Sequence, residues 1–195
     1  MNQKVSLFLL MALALTQLSA CVAVAVGGAT AGAMVAHDRR TSDAMLEDQK
    51  IEMRARRLLN DHRDIRDASD ISVTSYNLRV LLTGEAETVE ISRRFANLVA
   101  RLPRVASVFN EVRSGSSAGF WDETEDAYLT SKVKLALFGV DGKGFDPSRV
   151  KVVVSQEDVF VMGLVTRREG NAAIDEVRRV NGVKRVVDIF EYTDG

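Results

Sequence analysis

Apolar residues along this chain fall into three regimes. Val5 to Ala20 is a largely apolar run behind a basic start at Met1-Asn2-Gln3-Lys4. From Val22 to about Asp43 the residues are small and interleaved with glycine, as in Gly27-Gly28-Ala29-Thr30-Ala31-Gly32-Ala33, and then turn polar. Beyond Leu46 they recur at the spacings of helices and strands, and that pattern is written twice. Val80-Leu81-Leu82-Thr83-Gly84 lines up with Val159-Phe160-Val161-Met162-Gly163, and Val105 to Val112 lines up with Val183 to Phe190. Each copy predicts a helix (about Leu46 to Asn60, and Asp122 to Phe138), then a β-hairpin (Ile71 to Thr83, and Val150 to Leu164). A second helix (Glu87 to Leu102, and Arg167 to Asn181) and a last strand complete the unit. Polar turns are expected at Ser75-Tyr76-Asn77 and at Ser155-Gln156-Glu157-Asp158.

The α-β-β-α-β order predicts an α+β layer pair, a small sheet with both helices packed on one face. The chain divides accordingly into a removable leader (1–20), a flexible tether (21–44), a first domain (45–113), a hinge (114–121) and a second domain (122–195). Ser114-Gly115-Ser116-Ser117-Ala118-Gly119 supplies the hinge by composition. After the leader, the 195-residue chain has length for two small domains. A formal net charge of −1 leaves no basic excess to neutralise a phosphate backbone, so a nucleic-acid partner is not expected.

Cys21 is the chain's one cysteine, and it closes Leu18-Ser19-Ala20-Cys21 directly after the apolar run. That run is short for a membrane span and has the charged start and small-residue end of an export signal. A leucine, two small residues and a cysteine resemble the bacterial lipobox, in which the thiol is diacylated and the signal is cut before it. Val22, rather than Asp, then implies the outer membrane, facing the periplasm. The alternative is an ordinary cleaved signal with Cys21 a bystander.

The two first helices differ where it matters for function. Ile51, Ala55, Leu58 and Leu59 align with Leu129, Val133, Ala136 and Leu137, one stripe in each helix that faces the sheet. On the opposite side the first copy has Lys50, Arg57 and Asn60, and the second has Tyr128, Leu135 and Phe138. Three large apolar side chains facing away from the core, flanked by Lys132 and Lys134 and preceded by Phe120 and Trp121, fit a helix lying in a membrane interface. They equally fit a face buried against the first copy or a partner chain. Two lysines near an anionic surface add roughly 1 kcal/mol each, and a partly buried Phe or Leu adds about 1–2 kcal/mol. Such a contact is reversible, suited to selecting lipid within a membrane the protein already occupies.

Ile71-Ser72-Val73-Thr74-Ser75-Tyr76, Asn110-Glu111-Val112-Arg113, the glycine ending each second strand and the closing Gly182-Val183-Lys184-Arg185-Val186 resemble the BON domain. The chain as a whole is similar to the dual-BON outer-membrane lipoproteins, the family of the division- and outer-membrane-stress-associated lipid-binding protein. The resemblance implies two BON domains, each a small mixed three-stranded sheet under two helices. It further implies binding of an anionic phospholipid membrane (phosphatidylglycerol or cardiolipin) through Trp121, Tyr128, Leu129, Lys132, Lys134, Leu135 and Phe138. Enrichment at the division site and a part in envelope integrity are the cellular expectations. An adaptor docking an envelope protein, such as assembly machinery or a cell-wall enzyme regulator, is the alternative function, and a structural spacer is the third.

No enzymatic constellation is legible. His37 lies in the tether and His62 follows the first helix, and with one cysteine neither zinc nor redox sites have a ligand set. Asp141 to Asp146 has no calcium-loop ligand spacing and no closing glutamate. No cofactor is expected beyond covalent lipid on Cys21. Gly84 and Gly163 are structural glycines, placed where a side chain would clash or the backbone needs an unusual angle. Arg167-Arg168 and Arg178-Arg179 are assigned to the solvated face of the last helix.

Overall fold

The structure is a computed structural model describing residues 38–115, 123–140 and 145–194. The leader, Cys21 and most of the tether therefore lie outside the described residues, as do Phe120, Trp121 and the hinge from Ser116 onward. Among the described residues no helix is long and apolar enough to cross a membrane.

The first domain comprises α1 (Ser42–Asp61), a one-turn α2 (Arg63–Arg66), β1 (Ser69–Tyr76), β2 (Arg79–Ala86), α3 (Val89–Val99), β3 (Ser107–Asn110) and a two-residue β4 (Arg113–Ser114). The second comprises α4 (Glu123–Leu137), a 3₁₀ turn (Pro147–Arg149), β5 (Val150–Ser155), β6 (Asp158–Val165), α5 (Arg167–Arg178) and β7 (Arg185–Tyr192). In each sheet the middle strand runs antiparallel to its hairpin partner and parallel to the strand that returns after the helix. The α+β class and the repeated α-β-β-α-β order are thus present in both halves, and β4 adds a short fourth strand beside β2 in the first.

Alternation along the strands sends side chains to two different cores. Val80 and Leu82 of β2 join Ile51, Ala55, Phe95 and Val99 beneath the helices of the first domain. Val159, Val161 and Val165 of β6 do the same with Leu129, Val133, Leu137 and Val177 in the second. The intervening residues face the other way, and there Tyr76 and Leu81 meet Phe160, Met162 and Ile189 in a third cluster shared by the two sheets. The domains therefore pack sheet against sheet, with helices outermost. Central strands buried on both faces read as continuous apolar runs rather than alternating ones, which is the form of Val80-Leu81-Leu82 and Val159-Phe160-Val161-Met162.

Polar groups ring this shared core. Asp158, 2% exposed, accepts from Arg113 of the first domain (2.6 Å) and from Arg185 (2.7 Å), which also bonds Glu111 (3.0 Å). Burial works to raise the Asp158 carboxyl, but hydrogen bonds from Arg185 and Arg113 outweigh it and hold it below its ordinary value. Across the same junction Arg79 donates to the Phe190 carbonyl (2.8 Å) and Asn77 to Glu191 (2.8 Å). The Asn110-to-Arg113 stretch is thus part of an interdomain clasp.

Several local expectations need correction. Ser75 and Tyr76 are buried in β1 rather than in the turn, and the reversal is made by Asn77 and Leu78 at φ 49° and 66°, matched by Gln156 and Glu157 at 51° and 63°. Two left-handed residues in a two-residue connection give the turn whose twist suits a hairpin. The tether's polar end is not loose. Thr41 caps α1 by accepting from the Ala44 amide (3.1 Å), so the helix begins at Ser42 rather than Leu46, and Arg39 and Arg40 are both held by carboxylates. Ser114, expected in the hinge, pairs in β4, and the Gly115 amide donates to the Ala86 carbonyl.

Candidate membrane-facing site

The candidate site is built on α4. Its inner stripe of Leu129, Val133 and Leu137 is buried against β5, β6 and α5. On the opposite side Tyr128, Leu135 and Phe138 are 67%, 73% and 75% exposed, so they are not covered by the first domain. At 100° per residue these three fall within one sector about 80° wide. The helix is consequently apolar on two sides.

The charges around the stripe are not equivalent. Lys132 donates its ammonium to the Asn181 carbonyl, just past the C-terminal end of α5, and lies 5.4 Å from the Tyr128 ring centroid. It is an internal tie between the two helices of the domain. Lys134 is exposed and has no ion-pair partner among the described residues. Leu129, placed in the site by the resemblance, is 5% exposed and packs in the core, with its side chain against the Gly182 backbone. The reason is angular: Leu129 lies one residue, or about 100°, round the helix from Tyr128. Cys21 and Trp121 lie outside the described residues.

At the N-terminal end of α4, Asp126 does more than suit the helix dipole. Its carboxylate accepts from the backbone amides of Gln156 (3.0 Å) and Glu157 (3.3 Å), the two left-handed residues of the β5–β6 turn. Asp48 of α1, at the aligned position, does the same for Asn77 and Leu78, both at 2.8 Å, and also accepts from the Ser75 hydroxyl (2.7 Å). Left-handed turn residues point two adjacent amides outward, and a carboxylate satisfies both. The signal for this pair was present in the alignment of the two first helices, which sets Asp48 opposite Asp126.

At the start of α5, the N-cap Thr166 and Glu169 form a reciprocal capping box. Glu169 is also bridged by Arg39 (2.5 Å) and by Arg149 (3.0 Å). Burial works to raise its pKa, yet hydrogen bonds from Arg39 and Thr166 bring it down to about 2. A depressed carboxylate stabilises the fold fully above its unfolded value near 4.5 and loses that contribution as pH falls toward 2. Melting temperature is therefore expected to drop between about pH 5 and pH 2, and Glu169→Gln should flatten that slope. A slope unchanged by the substitution would place the acid sensitivity elsewhere.

The two folded halves each match the BON domain family, over residues 47–115 and 125–194. Among curated proteins the chain is 32% identical over 177 residues to Outer membrane lipoprotein DolP of Haemophilus influenzae, covering 91% of each chain. It is 28% identical over 155 residues to a 21 kDa hemolysin of Actinobacillus pleuropneumoniae, covering 80% of this chain and 79% of that one. Among solved structures, the C-terminal domain of CdsD, from the type III secretion system of Chlamydia trachomatis, is similar at 15% identity and a TM-score of 0.29 over 74% of this chain and 66% of that one. Neither curated relative is named as an enzyme. With both halves matched and a lipoprotein relative aligned along nearly its whole length, the chain belongs to the BON domain family as a dual-BON, envelope-associated lipoprotein.

Proposed function

We propose that the protein is anchored by acylated Cys21 to the periplasmic face of the outer membrane. There it binds anionic phospholipid reversibly through the outer face of α4, contributing to envelope integrity at the division site. The observation that carries this reading is the exposure of Tyr128, Leu135 and Phe138 on one stripe beside Lys134, which has no ion-pair partner among the described residues. Acyl chains contribute about 0.8 kcal/mol per buried methylene, so attachment itself does not need the helix. The helix adds lipid selection.

The test is co-sedimentation of the soluble fragment lacking the leader and Cys21 with phosphatidylglycerol or cardiolipin vesicles, against neutral ones. Wild type should bind the anionic vesicles, with affinity falling as salt rises, and Leu135→Glu with Phe138→Glu should abolish binding at an unchanged melting temperature. Lys134→Ala should weaken anionic binding by about fivefold, the equivalent of roughly 1 kcal/mol. Wild-type protein that ignores every vesicle would overturn the reading and turn the stripe over to an envelope protein partner.

A further inference from the structure

The end of the second domain that carries the α4 C-terminus also receives the start of the folded body. Asp126 holds the β5–β6 turn at one end of the sheet. From there α4 advances roughly 16 Å to Leu137, about the length of β5, so Leu137 arrives level with Val150. Lys132 meets Asn181, past the end of α5, which sets the two helices antiparallel and brings the first turn of α5 to the same end as Phe138. At that end Glu169 binds Arg149, the residue before β5, and Arg39. Arg39 donates to both carboxylate oxygens of Glu169 (2.5 and 2.9 Å) and to the Leu164 carbonyl (3.3 Å). A bidentate arginine on a carboxylate fixes direction as well as distance.

Cations face outward here. Arg168, like Lys134, is exposed and has no ion-pair partner among the described residues, and Arg167 stacks 4.8 Å from the Tyr192 ring centroid. Of the acids at this end, Glu169 is held by two arginines, while the Asp194 carboxylate accepts from the Arg167 amide (2.9 Å) and the Asp146 carboxylate from the Ser148 amide (2.9 Å). The opposite end of α4 carries Glu125 and Asp126, which disfavour an anionic surface.

Given the lipid reading above, on which this rests, we propose that the body stands on its anchoring leaflet on this end of the second domain. The Arg39–Glu169 bridge holds it there, and Arg168 joins Lys134 in meeting anionic headgroups beside Leu135 and Phe138. The chain between Cys21 and Arg39 reaches at most roughly 60 Å. Docking its far end on Glu169, in the first turn of α5, keeps this end of the second domain near the surface to which Cys21 is bound. A weak helix–lipid contact then acts at high effective concentration.

The test uses the acylated full chain in phosphatidylglycerol-containing vesicles, with an environment-sensitive fluorophore on Asn171→Cys in α5 or, as a control, on Asn97→Cys in α3. Headgroup-located quenchers should quench position 171 severalfold more than position 97. Arg39→Ala and Arg168→Glu should each reduce that difference without releasing protein from the vesicles. Equal quenching at both positions in the wild type, while the soluble fragment still binds anionic vesicles, overturns the orientation and leaves the lipid reading standing. Preferential quenching at 171 with a soluble fragment that ignores vesicles upholds the orientation and removes the lipid reading. Arg39→Ala that leaves the difference intact overturns the role of the bridge.

Discussion

Gly84→Val is expected to lower the melting temperature by about 10 °C or more, the largest effect of any single substitution considered for this fold. Gly84 sits in β2 opposite Ile71 with φ at +105°, a backbone conformation that costs a side-chain-bearing residue about 1–2 kcal/mol. A Cβ at this position would lie 2.1 Å from the Asp70 carbonyl oxygen. Because the obstacle is backbone in the paired strand, no rotamer change relieves it. Overpacking of this kind adds about 1–3 kcal/mol, so the sum approaches the whole stability of a marginal domain. Alanine meets the same clash and should cost nearly as much, whereas Gly115→Val, with nothing within 4 Å, should leave the melt unchanged. Gly163→Val belongs between them: its Cβ would lie 2.6 Å from the Arg149 carbonyl oxygen, but its backbone is not left-handed. A Gly84→Val protein that melts normally yet fails to bind lipid would turn this glycine from a structural element into part of a site.

The sequence and the structure meet at different depths in different places. Element order was legible because each helix and hairpin has its own apolar period, and duplication doubled the signal. The outward stripe of α4 was legible because 100° spacing separates Tyr128, Leu135 and Phe138 from the inward Leu129, Val133 and Leu137. The same angular argument would have kept Leu129 in the core, where the family resemblance alone drew it into the site. The contact that Lys132 makes was not legible for a different reason. Its partner is the Asn181 carbonyl, and a side chain's choice of a backbone acceptor across two helices leaves no mark in composition or spacing. Sheet-to-sheet packing did leave a mark: Phe160 and Met162 are apolar at positions a half-exposed sheet would fill with polar residues. Arg39 was hidden inside a segment whose small and polar composition suggested a tether, because a single bidentate contact needs no local pattern.

Asp48→Ala should produce the second-largest loss, and comparison with Asp126→Ala identifies its cause. The Asp48 carboxylate is 3% exposed and accepts from the Ser75 hydroxyl and from the amides of Asn77 and Leu78, while Arg40 lies 3.0 Å away. Removing it leaves buried donors without an acceptor, at about 1–3 kcal/mol for each one that water does not reach. It also removes the support for Leu78, a branched side chain at φ 66° that no local preference maintains. A loss of about 3–5 kcal/mol follows, read as a fall in the urea midpoint with little change in slope. Asp126 makes only two such bonds, at 3.0 and 3.3 Å, in a half-exposed setting, so Asp126→Ala should cost about 1–2 kcal/mol. Arg40→Ala removes the ion pair and spares the turn; it should cost less than half as much as Asp48→Ala. If Arg40→Ala matches Asp48→Ala, the stability comes mainly from the ion pair and the bonds to the turn amides are incidental. If Asp48→Ala and Asp126→Ala cost the same, water replaces the carboxylate equally well at both turns, and the paired aspartates are a relic of duplication rather than a requirement of the hairpins.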